Sequence, residues 1–180
     1  MNPVSSVSSQ WYMLTVIGND QPGIVARLTA ALFQAGVNLG ETSMIRLGGN
    51  FTIMMMVQSN NGMDKLQSAI ADTAESLSLR VHIDPIEAHL HSHLMPDVEI
   101  TVYGADRAGI VAEVTGALFD AGLNILDLNS DVAGTEAKPV YIMIIEGHAT
   151  RGMEPLEQAL SKLKNRGIEV TFTPIDTLMG

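Results

Sequence analysis

Cysteine is absent from this 180-residue chain. Disulfides, thiolate metal sites and a cysteine nucleophile are therefore excluded, and the composition suits a reducing, cytoplasmic setting. Basic residues are scarce: ten Lys and Arg stand against twenty Asp and Glu, a formal charge of −10. Such a balance repels the nucleic-acid backbone and argues against an autonomous DNA-binding domain. No apolar run approaches the ~18 residues of a membrane-spanning helix. Residues 1–10 lack the basic start and apolar block of a signal peptide and read as a flexible N-terminal tail. The common catalytic signatures are missing too: no Gly-x-Ser-x-Gly, no Gly-x-Gly-x-x-Gly, no Gly-Lys-Ser/Thr phosphate loop and no His-Glu-x-x-His. What the chain does have is apolar residues, 46% of the total, enough for a folded core rather than a disordered segment.

The chain repeats itself. Gly18-Asn19-Asp20-Gln21-Pro22-Gly23-Ile24-Val25-Ala26 matches Gly104-Ala105-Asp106-Arg107-Ala108-Gly109-Ile110-Val111-Ala112 at an offset of 86, and Gly18–Leu39 holds 13 identities in 22 positions with its counterpart. Farther on, Ile53-Met54 against Ile142-Met143 sets the offset at 89, a three-residue insertion that still holds where Val81, Pro85 and Ile86 meet Val170, Pro174 and Ile175. Two domains follow, residues 11–87 and 97–176, joined by a linker over 88–96.

Each half shows the same series of elements. In the first, Trp11–Ile17 reads as a strand and Gly23–Ala35 as an amphipathic helix, with Ile24, Leu28, Ala31, Leu32 and Ala35 at helical spacing. Strands Asn38–Leu47 and Phe51–Ser59 flank Gly48-Gly49, a pair suited to a tight hairpin with positive φ. A helix through Leu66, Ala69, Ile70, Thr73 and Leu77 and a strand over Leu79–Ile86 complete the unit. The second half repeats it with strands Val98–Tyr103, Asn124–Ala133, Val140–Glu146 and Ile168–Thr173 and helices Gly109–Ala121 and Glu154–Lys164. Right-handed crossovers then place both helices of each βαββαβ unit on one face of a four-stranded antiparallel sheet, an α+β, ferredoxin-like arrangement. Its exposed edges invite pairing, so the two halves are expected to pack together and the chain to form a homo-oligomer, most simply a dimer.

In the linker, His89, His91 and His93 alternate. They could face one side as metal ligands, but no carboxylate or thiol joins them at a familiar spacing, and the segment is read as a polar linker with no metal. Small hydrolases on this scaffold carry an arginine in the first strand-to-helix loop. Arg107 stands there in the second repeat, but the first has Gln21, so the chain is read as non-catalytic, without a cofactor. The loop itself is the strongest candidate site. It delivers a strand to a helix start, where free N–H groups and the positive end of the helix dipole suit a carboxylate. Gly23 permits close approach, and Asp20 and Asn19 could face an ammonium group. The alternative is that Asp20 and Asp106 only cap their helices; local chemistry leaves both open.

Asp-x-Pro-Gly-Ile-Val after the first strand, then Ala-Leu-Phe-x-Ala-Gly-x-Asn leading into the second, resembles the ACT domain. The pattern covers both halves, and a free-standing tandem pair resembles the glycine cleavage system transcriptional repressor group. Repeat two departs from the pattern, with Ala108 in place of the loop proline and an insertion over Gly134–Pro139. The resemblance implies amino-acid sensing, with a small ligand held between the first loop of one domain and the second strand of its neighbour. By position it implies Asn19, Asp20, Gln21, Gly23 and Ile24 with Asn38 in the first repeat, and Asp106, Arg107, Gly109 and Ile110 with Asn124 in the second. It further implies action through a protein partner, such as a transcriptional activator, rather than by direct nucleic-acid binding. A regulatory subunit or stand-alone allosteric module of an amino-acid metabolic enzyme is the alternative.

Overall fold

A computed structural model describes residues 9–87, 94–105, 107–135 and 138–175. The chain divides into two compact units, residues 1–90 and 91–180. The first runs β1 (Gln10–Asn19), α1 (Ile24–Gln34), β2 (Asn38–Leu47), β3 (Asn50–Ser59), α2 (Met63–Ser76) and β4 (Arg80–Ile86). The second runs β5 (Val98–Ala105), α3 (Ile110–Asp120), β6 (Leu123–Thr135), β7 (Lys138–Ala149), α4 (Met153–Lys164) and β8 (Glu169–Pro174). Each forms an antiparallel four-stranded sheet, in the orders β2-β3-β1-β4 and β6-β7-β5-β8. The βαββαβ reading holds in both halves. Among the described residues no helix is long and apolar enough to cross a membrane.

Alternation along the central strands places the core. Tyr12, Leu14 and Val16 of β1 and Phe51, Ile53, Met55 and Val57 of β3 point to one face. There they meet Ile24, Leu28 and Leu32 of α1 and Leu66, Ile70 and Ala74 of α2, so both helices cover the same side. The second unit repeats this with Val98, Ile100 and Val102 beneath Ile110, Val114, Leu118, Leu156 and Leu160. At the edge, β2 contributes no buried residue. The Gly48-Gly49 hairpin takes φ of 56° and 74°, the two positive angles that a two-residue turn joining right-twisted strands requires.

Strand register corrects the repeat alignment in one place. Ile53 lies opposite Val16 and Met143 opposite Val102, so Ile53 corresponds to Met143 and not to Ile142. The offset there is 90: four residues were inserted, not three. They lengthen the β6–β7 hairpin, which pairs as far as Thr135 and Lys138. One residue is lost again in α4, where the buried Leu160 and Leu163 are three apart while Ile70 and Ala74 are four apart. A one-residue slip exchanges the two faces of a strand, so burial decides the matter. Ile53 and Met143 are 1% and 0% exposed, whereas Met54 and Ile144 are 45% and 40% exposed. We therefore expect Ile53→Ala and Met143→Ala each to destabilise by about 2–5 kcal/mol in chemical denaturation. Met54→Ala and Ile144→Ala should stay within about 0.5 kcal/mol.

Candidate functional site

In the first unit the loop between β1 and α1 is tied down on both sides. The Asp20 N–H donates to Gly49 O across 2.9 Å, which binds the loop to the hairpin tip. Gln21 Nε2 donates to Leu77 O at the end of α2, 3.0 Å away. Gly23 then takes φ 87° and ψ 0° immediately before the helix. This left-handed geometry favours glycine for conformational reasons, since a Cβ there would meet nothing within 4 Å. The helix begins at Ile24, one residue later than its hydrophobic pattern suggests, because Gly23 has left-handed rather than helical angles.

No side chain caps α1, and no acidic residue occupies its first turn. The capping alternative for Asp20 is thereby set aside. Its carboxylate instead faces Arg46, with Arg46 Nη2 2.5 Å from Asp20 Oδ2. The uncapped helix start opens on a cleft of about 340 Å³ that brings together Asp20, Gln21, Gly23 and Ile24 with Met44 and Phe51. Ile24 and Phe51 are buried and form the apolar floor. A small molecule here would meet backbone N–H donors, one carboxylate and an apolar base.

Other expected residues lie elsewhere. Asn19 ends β1 opposite Asn50 and is exposed. Asn38 stands opposite Gln58, level with Trp11, and its Nδ2 donates to Gln58 Oε1 over 3.4 Å. Eight residues of strand, at about 3.3 Å each, separate that level from Asn19. Within one unit Asn38 and Asp20 therefore cannot touch the same small ligand. Asn124 has the same place in the second unit, opposite His148 at the far end of its sheet from Gly109, in a hollow shared with Ala112 and Phe119 of α3.

The second loop keeps the backbone and changes the side chains. Gly109 repeats φ 87° although Ala108 replaces Pro22, so the turn does not depend on that proline. Ile110 is buried at the helix start like Ile24. Arg107, in Gln21's place, pairs with Glu113 at 2.5 Å, and Arg166 joins from beyond α4 at 3.3 Å. Asp106 lies outside the described residues, as do His89, His91 and His93. Among the described residues no cluster of three or more His, Asp or Glu side chains could hold a metal.

Sequence reasoning missed Arg46, Met44 and Phe51. The available signal was the hairpin: β1 pairs antiparallel with β3, so the Gly48-Gly49 tip must lie level with the end of β1, and the residues flanking it fall beside the loop.

Two βαββαβ units, each entering its first helix through a left-handed glycine, define an ACT-domain protein. ACT-domain family models match residues 11–84 and 98–167, and the chain belongs to that family. Among curated relatives, the glycine cleavage system transcriptional repressor of Escherichia coli K12 is 28% identical over 165 residues, covering 88% of this chain and 86% of that protein. A UPF0237 protein of Methanosarcina mazei is 30% identical over 90 residues, 48% of this chain and 98% of its own. A solved structure of an unknown protein from Galdieria sulphuraria superposes with a TM-score of 0.75 at 23% identity, covering 94% of this chain and all of its own. Another, provisionally described as a glycine cleavage system transcriptional repressor, has a TM-score of 0.69 at 19% identity and covers 94% and 99%. The two structural likenesses concern the fold.

Hydrogen bonds from Arg107, then from Arg166, hold the Glu113 carboxyl below its ordinary pKa. A depressed carboxylate contributes stability that is present above its unfolded value and lost as pH falls through its folded value. NMR titration should place Glu113 lower than an unpaired glutamate, and Arg107→Met should raise it toward the ordinary range.

Proposed function

We propose that this chain is a non-catalytic regulatory protein that senses a small amino acid, glycine being one candidate, and regulates transcription through a protein partner. The observation that carries this reading is the uncapped start of α1, opening on a cleft that also holds the Asp20 carboxylate. Helix N–H groups complement a carboxylate and Asp20 complements an ammonium, the two charges every α-amino acid carries. Similarity to a transcriptional repressor over 88% of the chain supports the regulatory output. The net charge of −10 favours a protein contact over a grip on DNA.

The same reading includes self-association. On the first edge strand Ile45 is 63% exposed and Leu47 75%, and on the last turns of α1 and α3 Phe33 and Phe119 are 81% and 74% exposed. Apolar side chains of this size beside an unpaired strand edge suit an interface. The domain boundaries proposed here, 11–87 and 97–176 with a linker over 88–96, leave such an edge on each domain.

Thermal-shift screening and titration calorimetry with the twenty amino acids should find a ligand with Kd between about 1 μM and 1 mM, roughly −8 to −4 kcal/mol. Asp20→Asn should weaken that binding measurably while the ligand-free melting temperature barely moves. Unchanged affinity would remove Asp20 from ammonium recognition. Light scattering should give a dimer or larger assembly, and sequence-selective, submicromolar gel shifts of duplex DNA by the isolated protein would contradict the proposed output.

A further inference from the structure

Two opposite charges meet at the mouth of the β1–α1 cleft. The Arg46 side chain is 67% exposed and that of Asp20 23%. The Arg46 end is open to water, which screens the pair, so exchanging its partner for another charge costs little. Arg46 lies two residues along β2 from Met44, which lines the cleft, and strand alternation puts the two on one face.

We propose that a zwitterionic α-amino acid binds by inserting into this pair, its ammonium on Asp20 and its carboxylate on Arg46. The proposal rests on the amino-acid-sensing reading above and names the side chain that recognises the ligand's carboxylate. Guanidinium is suited to that role because its planar fork makes two parallel hydrogen bonds to a carboxylate. Insertion leaves no charge alone: each side chain exchanges a protein partner for a ligand partner. An amine or a carboxylic acid by itself would satisfy one side chain and strand the other, so the pair selects for molecules carrying both charges.

The two repeats differ at this point. Arg46 lies opposite Phe51, which lies opposite Gly18; Val132 lies opposite Tyr141, which lies opposite Gly104. Val132 thus holds the place of Arg46, and its isopropyl group offers a carboxylate no donor. The nearby Arg107 is engaged by Glu113. The ligand's carboxylate is therefore read in the first repeat alone, with one amino acid bound per chain, and the second repeat keeps the fold without this recognition.

The test is titration calorimetry on the full chain with the twenty amino acids, followed by the amide and the N-acetyl derivative of the one that binds best. We expect one site per chain, with both derivatives weaker by at least about tenfold, the loss of a single charge-assisted contact. Arg46→Val should weaken the amino acid by a similar factor and abolish its advantage over its amide. Arg46→Lys should fall between, keeping the charge without the fork. Valine already occupies this position in β6, and an unchanged ligand-free melting temperature would verify that R46V folds. Full affinity in R46V, equal binding of the amide by the wild type, or two equivalent sites per chain would overturn this proposal and leave the sensor reading standing. No heat with any of the twenty would overturn both. The amide comparison uses the wild type alone, so equal binding of the amide overturns the proposal even where a variant fails to fold; R46V and R46K separate Arg46 from the helix N–H groups as the carboxylate's donor.

Discussion

Each unit turns on one glycine held at φ 87° between its first strand and first helix. That angle is open to glycine and strained for residues bearing a Cβ, by about 1–2 kcal/mol. It reverses the chain within a few residues, lays the helix back across the sheet and directs the helix start toward the hairpin tip. Leu28 and Leu32 of α1, and Val114 and Leu118 of α3, reach their cores because the turn sets where each helix begins. The same turn leaves the first N–H groups without a side-chain cap, which creates the cleft. Fold and site thus depend on a single backbone conformation.

The repeats show what duplication preserved and what it released. Glycine angle, helix start and sheet order are the same in both. The side-chain ties made by the loop and the first helix differ between the two units in both chemistry and partner. Arg27 donates to Ser76 over 2.7 Å in one unit, while Glu113, at the same place in α3, accepts from Arg166 in the other. An amide-to-carbonyl bond from Gln21 is likewise replaced by the ion pair of Arg107 with Glu113. Exposed bonds of this kind contribute little individually, so their chemistry can drift while the packed face beneath stays apolar.

The edge strands β2 and β6 carry an irregularity at the same level, between Leu39 and Thr42 and between Ile125 and Asp127. An extra residue there increases local twist and interrupts the ladder. In the first repeat it falls at Gly40, where a Cβ would come within 2.9 Å of the Trp11 ring. Beyond it each edge strand continues toward the loop end of its sheet, so the bulge sets which β2 side chains point toward the cleft. Arg46 reaches Asp20 downstream of that shift in register.

Local signals carried much of this protein. The duplication, the order of elements and the glycine turns were legible in the sequence because periodicity and allowed φ angles act over a few residues. The loop was legible as a candidate site for the same reason, since a strand running into a helix start can be read from short motifs. Tertiary structure decided what depends on strands distant in the chain. Asp20 and Arg46 are 26 positions apart and meet only through the pairing of β1 with β3 and of β3 with β2. Ile53 matches Met143 rather than Ile142 because burial, not residue identity, sets the face of a strand. Asn38 is separated from Asp20 because β2 starts at the opposite end of the sheet. Such relations depend on cross-strand register, which no short window of sequence contains.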